Sequence, residues 1–93
     1  MAEKKTAEVT TSSGFTCSLD LNRIASMDFL DALQEYQDGN SIALSRVVSI
    51  MFDKETKSRL YEHVRNEEGL VLIDDTAKEI LEILNGCKKG KNS

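Results

Sequence analysis

Apolar residues recur at three- and four-residue spacing from Ser26 to Leu84, and no proline interrupts them anywhere in the chain. No other feature of the sequence constrains the fold as much. A period near 3.6 marks helices buried along one face. The absence of proline leaves every backbone N–H available to a helical ladder. Breaks fall at Asp38-Gly39-Asn40 and at Asn66-Glu67-Glu68-Gly69, where glycine beside short polar residues ends helices. Four helices are therefore expected, near residues 26–38, 41–52, 54–66 and 74–85.

Each expected helix has its own signals. Ser26 is placed to cap the first, with Asp28 favourable in its first turn and Phe29, Leu33 and Tyr36 on its apolar stripe, Leu30 and Ala32 beside them. In the second, Leu44, Val47, Val48 and Met51 share a face, whereas Ile42 falls among Ser45, Arg46 and Ser49 and Ile50 lies at the edge. Such a helix is either packed on several sides or carries an exposed patch. Ile42 and Ile50 are the candidate partner-binding residues on the second reading. Asp53 caps the third, whose stripe is Leu60, Tyr61 and Val64; His63 points away from it and reads as a solvated histidine. In the fourth, Thr76-x-x-Glu79 fits a capping box, though Asp74 or Asp75 could also serve as cap. Ile73, Ala77, Ile80, Leu81 and Leu84 form its expected inner face; Asp75, Lys78, Glu79 and Glu82 form its outer face. Gly86 is expected to stop it, and the lysines beyond favour the negative end of its dipole.

Ahead of the helices, two β-prone runs flank Ser12-Ser13-Gly14, as in a short hairpin. A lone hairpin is marginal in water, so Phe15 and Leu19 are expected to pin it to the helical body. The reading is a mainly all-α fold: a small bundle of about four short helices with a short N-terminal β-hairpin. One domain is expected over residues 9–86, between flexible tails at 1–8 and 87–93. A domain of 93 residues buries only about 60–65% of its unfolded surface, so stability is modest or helped by a partner.

Charge and composition exclude several classes. From Asp20 to Asn85 there are 14 carboxylates against 7 lysines and arginines, a net of −7, while Lys4, Lys5, Lys88, Lys89 and Lys91 sit near the ends. So acidic a body repels phosphate backbones, and nucleic acid is not an expected partner. Cys17 and Cys87 form no CxxC pair and His63 is the single histidine, too few ligands for a structural zinc. Two free thiols are expected. The N-terminus lacks a signal-peptide pattern, and the longest apolar-rich stretch, residues 42–52, is too short to span a bilayer. A soluble, cytoplasmic protein with no membrane partner is expected. No phosphate loop or catalytic constellation is found, so neither enzyme activity nor a cofactor is expected.

The order of the elements then becomes informative. "SGFTCSLD" precedes "DFLDALQEYQDGNSIALSRVVSIMF", followed by "KSRLYEHVRNEEGLVLIDDTAKEILEIL". Over residues 13–85 this run resembles the small tail assembly chaperones of long-tailed bacteriophages of Gram-positive hosts. The pieces that carry the resemblance are Ser13-Gly14-Phe15, the acidic helix ending at Asp38-Gly39-Asn40, the 42–52 helix, and Glu62-His63-Val64-Arg65 leading to Glu68-Gly69. The resemblance implies a protein that binds the tape measure protein and keeps it soluble until the tail tube polymerises. It implies work in the cytoplasm of the bacterial host, without ATP, and absence from the mature virion. Surplus apolar surface on so small a domain also leads us to expect a homo-oligomer.

The resemblance further implies a longer form made by programmed frameshift, whose extension recruits the tail tube protein. Lys89-Gly90-Lys91 admits the codons AAG GGA AAG, which contain the slippery heptanucleotide G GGA AAG; the zero-frame product would then stop after Asn92 and Ser93. A plain solubilising tail is the alternative there. For the whole chain, the alternatives are an acidic helical adaptor or regulator that binds another protein, and a carrier-protein-like module. Asn40-Ser41-Ile42 has a carrier protein's serine but not its Asp-Ser-Leu motif.

Overall fold

A computed structural model describes residues 5–90. Strands β1 (Thr6–Thr10) and β2 (Thr16–Asp20) are followed by the single-turn helix α1 (Leu21–Ile24). Then come α2 (Met27–Gln37), α3 (Ala43–Met51), α4 (Lys54–Val64) and α5 (Ile73–Gly90). The fold is mainly helical with one two-stranded antiparallel sheet.

The hairpin register pairs Val9 with Cys17 and Ala7 with Leu19. These four side chains turn to the core, while Glu8, Ser18, Thr10 and Thr16 turn to solvent, the alternation of a sheet with one wet face. The connection is a five-residue turn from Thr11 to Phe15, closed by Thr11 N–H donating to Phe15 O at 2.9 Å. Gly14 sits in it at φ +95°, a conformation other residues rarely adopt. Phe15 and Leu19 are buried, as expected of the residues that pin the hairpin.

The local signals of α2 and α4 act as read. Ser26 Oγ accepts from Phe29 N–H at 3.2 Å and Asp53 Oδ1 accepts from Thr56 N–H at 2.9 Å. Leu44, Val47, Val48 and Met51 of α3 are all buried with Leu60 of α4 in the central cluster. α3 begins two residues later than expected. Residues 40–42 form a preceding turn, in which Asn40 Oδ1 accepts from Ile42 N–H at 3.2 Å.

Several expectations at the two ends of the chain are corrected. Of the N-terminal tail expected over 1–8, residues 1–4 lie outside the described residues, and from Thr6 the chain is strand β1. Thr76 caps nothing: α5 starts at Ile73, and the Thr76 hydroxyl donates back to Leu72 O at 2.8 Å. Nor does Gly86 stop α5, which runs on to Gly90; Cys87, expected in the tail, is buried in the core, and residues 91–93 lie outside the described residues. The glycine serves packing instead. A Cβ built at Gly86 would meet Val9 Cγ1 at 2.8 Å, so β1 lies against α5 where a side chain is missing. The inner face of α5 also differs from expectation. Thr76, Glu79, Ile80, Ile83 and Cys87 are buried, whereas Ile73 and Leu81 are exposed.

Gly86→Ala tests that approach. Alanine favours the helix by about 1 kcal/mol, but overpacking against the stiff valine costs about 1–3 kcal/mol. We expect net destabilisation in urea, and a Val9→Ala/Gly86→Ala double variant less destabilised than the two single effects combined. A stabilised Gly86→Ala would refute the packing role.

Candidate functional site

Among the described residues the most exposed large apolar side chain is Ile42, 82% accessible at the start of α3. It stands at the rim of a groove of about 390 Å³. Leu44 and Val48 of α3 form the floor with Tyr61 of α4, and Val71 and Ile73 form the opposite wall. The Thr76 hydroxyl on this wall is committed to Leu72 O, and Ser41 and Ser45 complete the lining on the α3 side. The floor belongs to the rigid core and the rim stands in water.

The rim is held by backbone chemistry. Asn40 fixes the turn that presents Ile42. Across the groove, Asn66 Oδ1 accepts from Glu68 N–H at 2.9 Å and from Leu70 N–H at 3.0 Å, and Asn66 N–H donates to Leu70 O at 2.8 Å. Arg65 Nη1 clamps the same loop by donating to Gly69 O at 2.8 Å. This loop leads into Leu70 and Leu72, both exposed, so the surface of the connector is ordered and not merely frayed.

The two sequence candidates separate. Ile42 lines the groove. Ile50 does not: it packs partly buried against the core, and its carbonyl accepts from Arg23 Nη1 at 3.1 Å. α1 packs on α3 and covers an edge that the helical wheel left open. Ile73, assigned by periodicity to the inner face of α5, belongs to the groove wall instead.

A second cluster joins the hairpin turn to α4 and α5. Glu79, expected on the outer face of α5, is only 7% accessible. Its Oε2 accepts from Thr11 Oγ1 at 2.6 Å and from Ser13 Oγ at 2.8 Å. Glu82 accepts from the backbone N–H and the hydroxyl of Ser12. His63, read as solvated, is engaged at the surface: Nε2 lies 2.8 Å from Ser13 Oγ, and the ring is 5.3 Å from that of Phe15. The three residue types of a Ser-His-Glu triad are present, but their arrangement differs from one. Ser13 and Glu79 both sit at Nε2, where a triad sets the acid on the opposite nitrogen. The Ser13 proton goes to Glu79, so His63 has no proton to take from it. The cluster is a clasp, and among the described residues no buried side-chain polar atom lacks a partner.

Both cysteines are buried and free. The Cys17 thiol is pushed up to about 11, chiefly by burial, with Arg59 opposing and Cys87, Glu79 and Glu8 adding to the rise. A thiol so raised is a poor nucleophile at neutral pH. Among the described residues no three His, Cys, Asp or Glu side chains are grouped to hold a metal ion, and no helix is long and apolar enough to cross a membrane. Comparison with protein-family models, curated proteins and solved structures yields no match to this chain.

Two measurements check the clasp and the thiol. Glu79→Ala leaves the Thr11 and Ser13 hydroxyls without their shared acceptor, and we expect a loss of about 2–3 kcal/mol; a change below about 0.5 kcal/mol would refute the clasp. For Cys17, folding disfavours the thiolate, so the unfolded chain releases this proton first. The contribution is complete below the ordinary value of 9.0 and is lost as pH climbs from there toward about 11. The urea midpoint should therefore fall more steeply over that window in the native chain than in Cys17→Ala. Equal slopes would contradict the burial of this thiol.

Proposed function

We propose that the chain is a holding chaperone that takes a helix of its client into the Ile42–Ile73 groove. In particular, it is a phage tail assembly chaperone that keeps the tape measure protein soluble until the tail tube polymerises. One observation carries the reading: a large apolar side chain, 82% accessible, stands over a floor of buried core residues. Ile42 contributes little to the fold in that position, yet an apolar partner side chain would gain much there. Helix-in-groove binding needs such a surface, with the client presenting apolar residues at i, i+3 or i+4, and i+7. The net charge of −4 suits the task, because it resists aggregation of a loaded complex.

On this reading the chain acts in the host cytoplasm, uses no nucleotide or cofactor, and leaves before the virion matures. A frameshifted form would carry its extension from the far end of α5, which runs to Gly90, well away from a groove at the N-terminal end of the same helix. The client and a tail tube protein recruited through the extension would then occupy separate ends of one molecule.

The test is co-expression with a tape measure fragment that is insoluble alone. Wild type should bring the fragment into the supernatant. Ile42→Asp should fail to do so while its urea midpoint changes by no more than about 0.5 kcal/mol, as for an exposed residue. Full holding activity in Ile42→Asp, or no rescue by wild type, would overturn the proposal.

A further inference from the structure

The groove is largely apolar within, and two of the chain segments that lead into it are acidic. The chain bounds it with two segments, residues 38–42 and 67–75. Together they hold Asp38, Glu67, Glu68, Asp74 and Asp75 and no basic residue, although Asp75 lines a separate hollow with Lys78 and Glu79. All five carboxylates are exposed. Among the described residues none of the five joins an ion pair, whereas Asp20, Glu35 and Glu62 are each matched by an arginine.

Local contacts account for three of the five. Asp74 and Asp75 lie in the first turn of α5, where negative charge suits the helix dipole. Asp38 is the C-cap of α2, and Glu67 and Glu68 follow the C-terminal end of α4. A carboxylate at a helix C-terminus opposes the dipole. Gln34 Nε2 nonetheless holds Asp38 by donating to its Oδ1 at 3.1 Å, whereas Glu67 and Glu68, beyond the last turn of α4, have no side-chain partner among the described residues.

A second copy of the chain is a poor occupant for such a border. Its own groove would bring a like-charged rim. Its arginines are already committed: Arg23 to Asp20 and Ile50 O, Arg46 to Glu35, Arg59 to Thr16 O, and Arg65 to Glu62 and Gly69 O. Lys54, Lys57 and Lys78 join no ion pair among the described residues, but Lys78, the one beside the apolar stripe of α5, is accompanied by Asp74, Asp75 and Glu82.

From this juxtaposition of an apolar groove and an unpaired acidic border, we infer that the groove selects a helical protein segment whose apolar stripe is flanked by lysine or arginine. The inference rests on the groove being the client site. Ile73, Ala77 and Leu81 follow at four-residue spacing and continue the apolar surface along α5 for roughly 12 Å. A client helix of two or three turns lying there would set its flanking cations against Glu67 and Glu68 on one side and Asp38 on the other. Coulomb attraction at such a rim speeds encounter and rejects wrong partners more than it adds affinity. The border is therefore a specificity device: it separates basic amphipathic helices from the acidic helices of the chain itself.

Two synthetic peptides of about five helical turns test this, identical in their leucine stripe, one flanked by lysine and the other by glutamate. Their binding to the full chain is followed by fluorescence anisotropy. We expect the lysine peptide to bind at least about ten-fold tighter at low salt, the gap narrowing toward about 0.5 M salt. Glu67→Gln/Glu68→Gln should close most of the gap. Asp28→Asn/Asp31→Asn on α2, outside the two border segments, should leave it intact, and Ile42→Asp should abolish binding of both peptides. Equal binding of the two peptides, a gap that the α2 variant closes equally well, or lysine-peptide binding that survives Ile42→Asp overturns the inference. So does failure of both peptides beside self-association that Ile42→Asp abolishes, since a second copy would then hold the groove. If a tape measure fragment is held in solution while the two peptides bind alike, the basic-flank inference fails and the chaperone reading stands. If the lysine peptide is selected through Ile42 but the fragment is not held, the chaperone reading fails and the inference stands.

Discussion

The docking of the β1–β2 hairpin on α5 fixes more of this molecule than any other contact. A two-stranded hairpin is marginal alone, and α5 is apolar around nearly half its circumference, from Ile83 through Ile80 and Ile73 to Leu81. Neither element is specified without the other. Gly86 lets β1 approach, with Val9 filling the space a side chain would take. Glu79 and Glu82 hold the turn through Thr11, Ser12 and Ser13. These contacts select one half of the apolar arc of α5 as the inside. On the other half, Ile73 and Leu81 are left toward solvent, with Ala77 half-buried between them. The exposed wall of the groove is thus a consequence of the hairpin: the acids that clasp the turn also decide where the surplus apolar surface lies.

That dependence explains which features the sequence made legible. The caps at Ser26 and Asp53 and the stripe of α3 depend on residues within a turn or two of one another, and periodicity found them. The inner face of α5 was placed about a quarter turn away, since Ile80 lies near the middle of the apolar arc and either side of it satisfies a helical wheel. Glu79 was assigned to solvent because its partners, Thr11 and Ser13, lie 68 and 66 residues away. Gly86 obeyed the local rule for a helix stop until a strand from the other end of the chain gave it a packing role. The candidate site divides in the same manner. Ile42 and Ile50 share one feature, exclusion from the α3 stripe, and only Ile42 lines the groove. What covers Ile50 is the neighbourhood of α1, a single turn without buried residues of its own that the periodic pattern did not mark.

The order of the rim bears on how such a groove could hold a client. Immobilising a loop on binding costs about 0.5–1.5 kcal/mol for each side chain fixed. Here the cost falls largely on folding, because Asn40, Asn66 and Arg65 organise both borders in the free chain. On the proposed reading, the binding surface is ready before a client arrives. The groove is also open and short, about 390 Å³, room for the few anchors of one helix face and no more. Pre-order without depth favours capture that is fast and individually weak.

The proposed holding role requires that combination. On that reading a client that must later enter a growing tube has to be released without fuel, so no single contact can be tight. Many copies along a long helical chain provide retention by number, while each remains exchangeable. An acidic border fits the same logic. It accelerates encounter with basic flanks but adds little to the residence of any one copy. Specificity then resides in the pattern of apolar and basic residues along the client, read one short groove at a time, and the deep, enclosed pocket that tight binding would need is absent from the groove for the same reason that Ile42 can stand exposed at its rim.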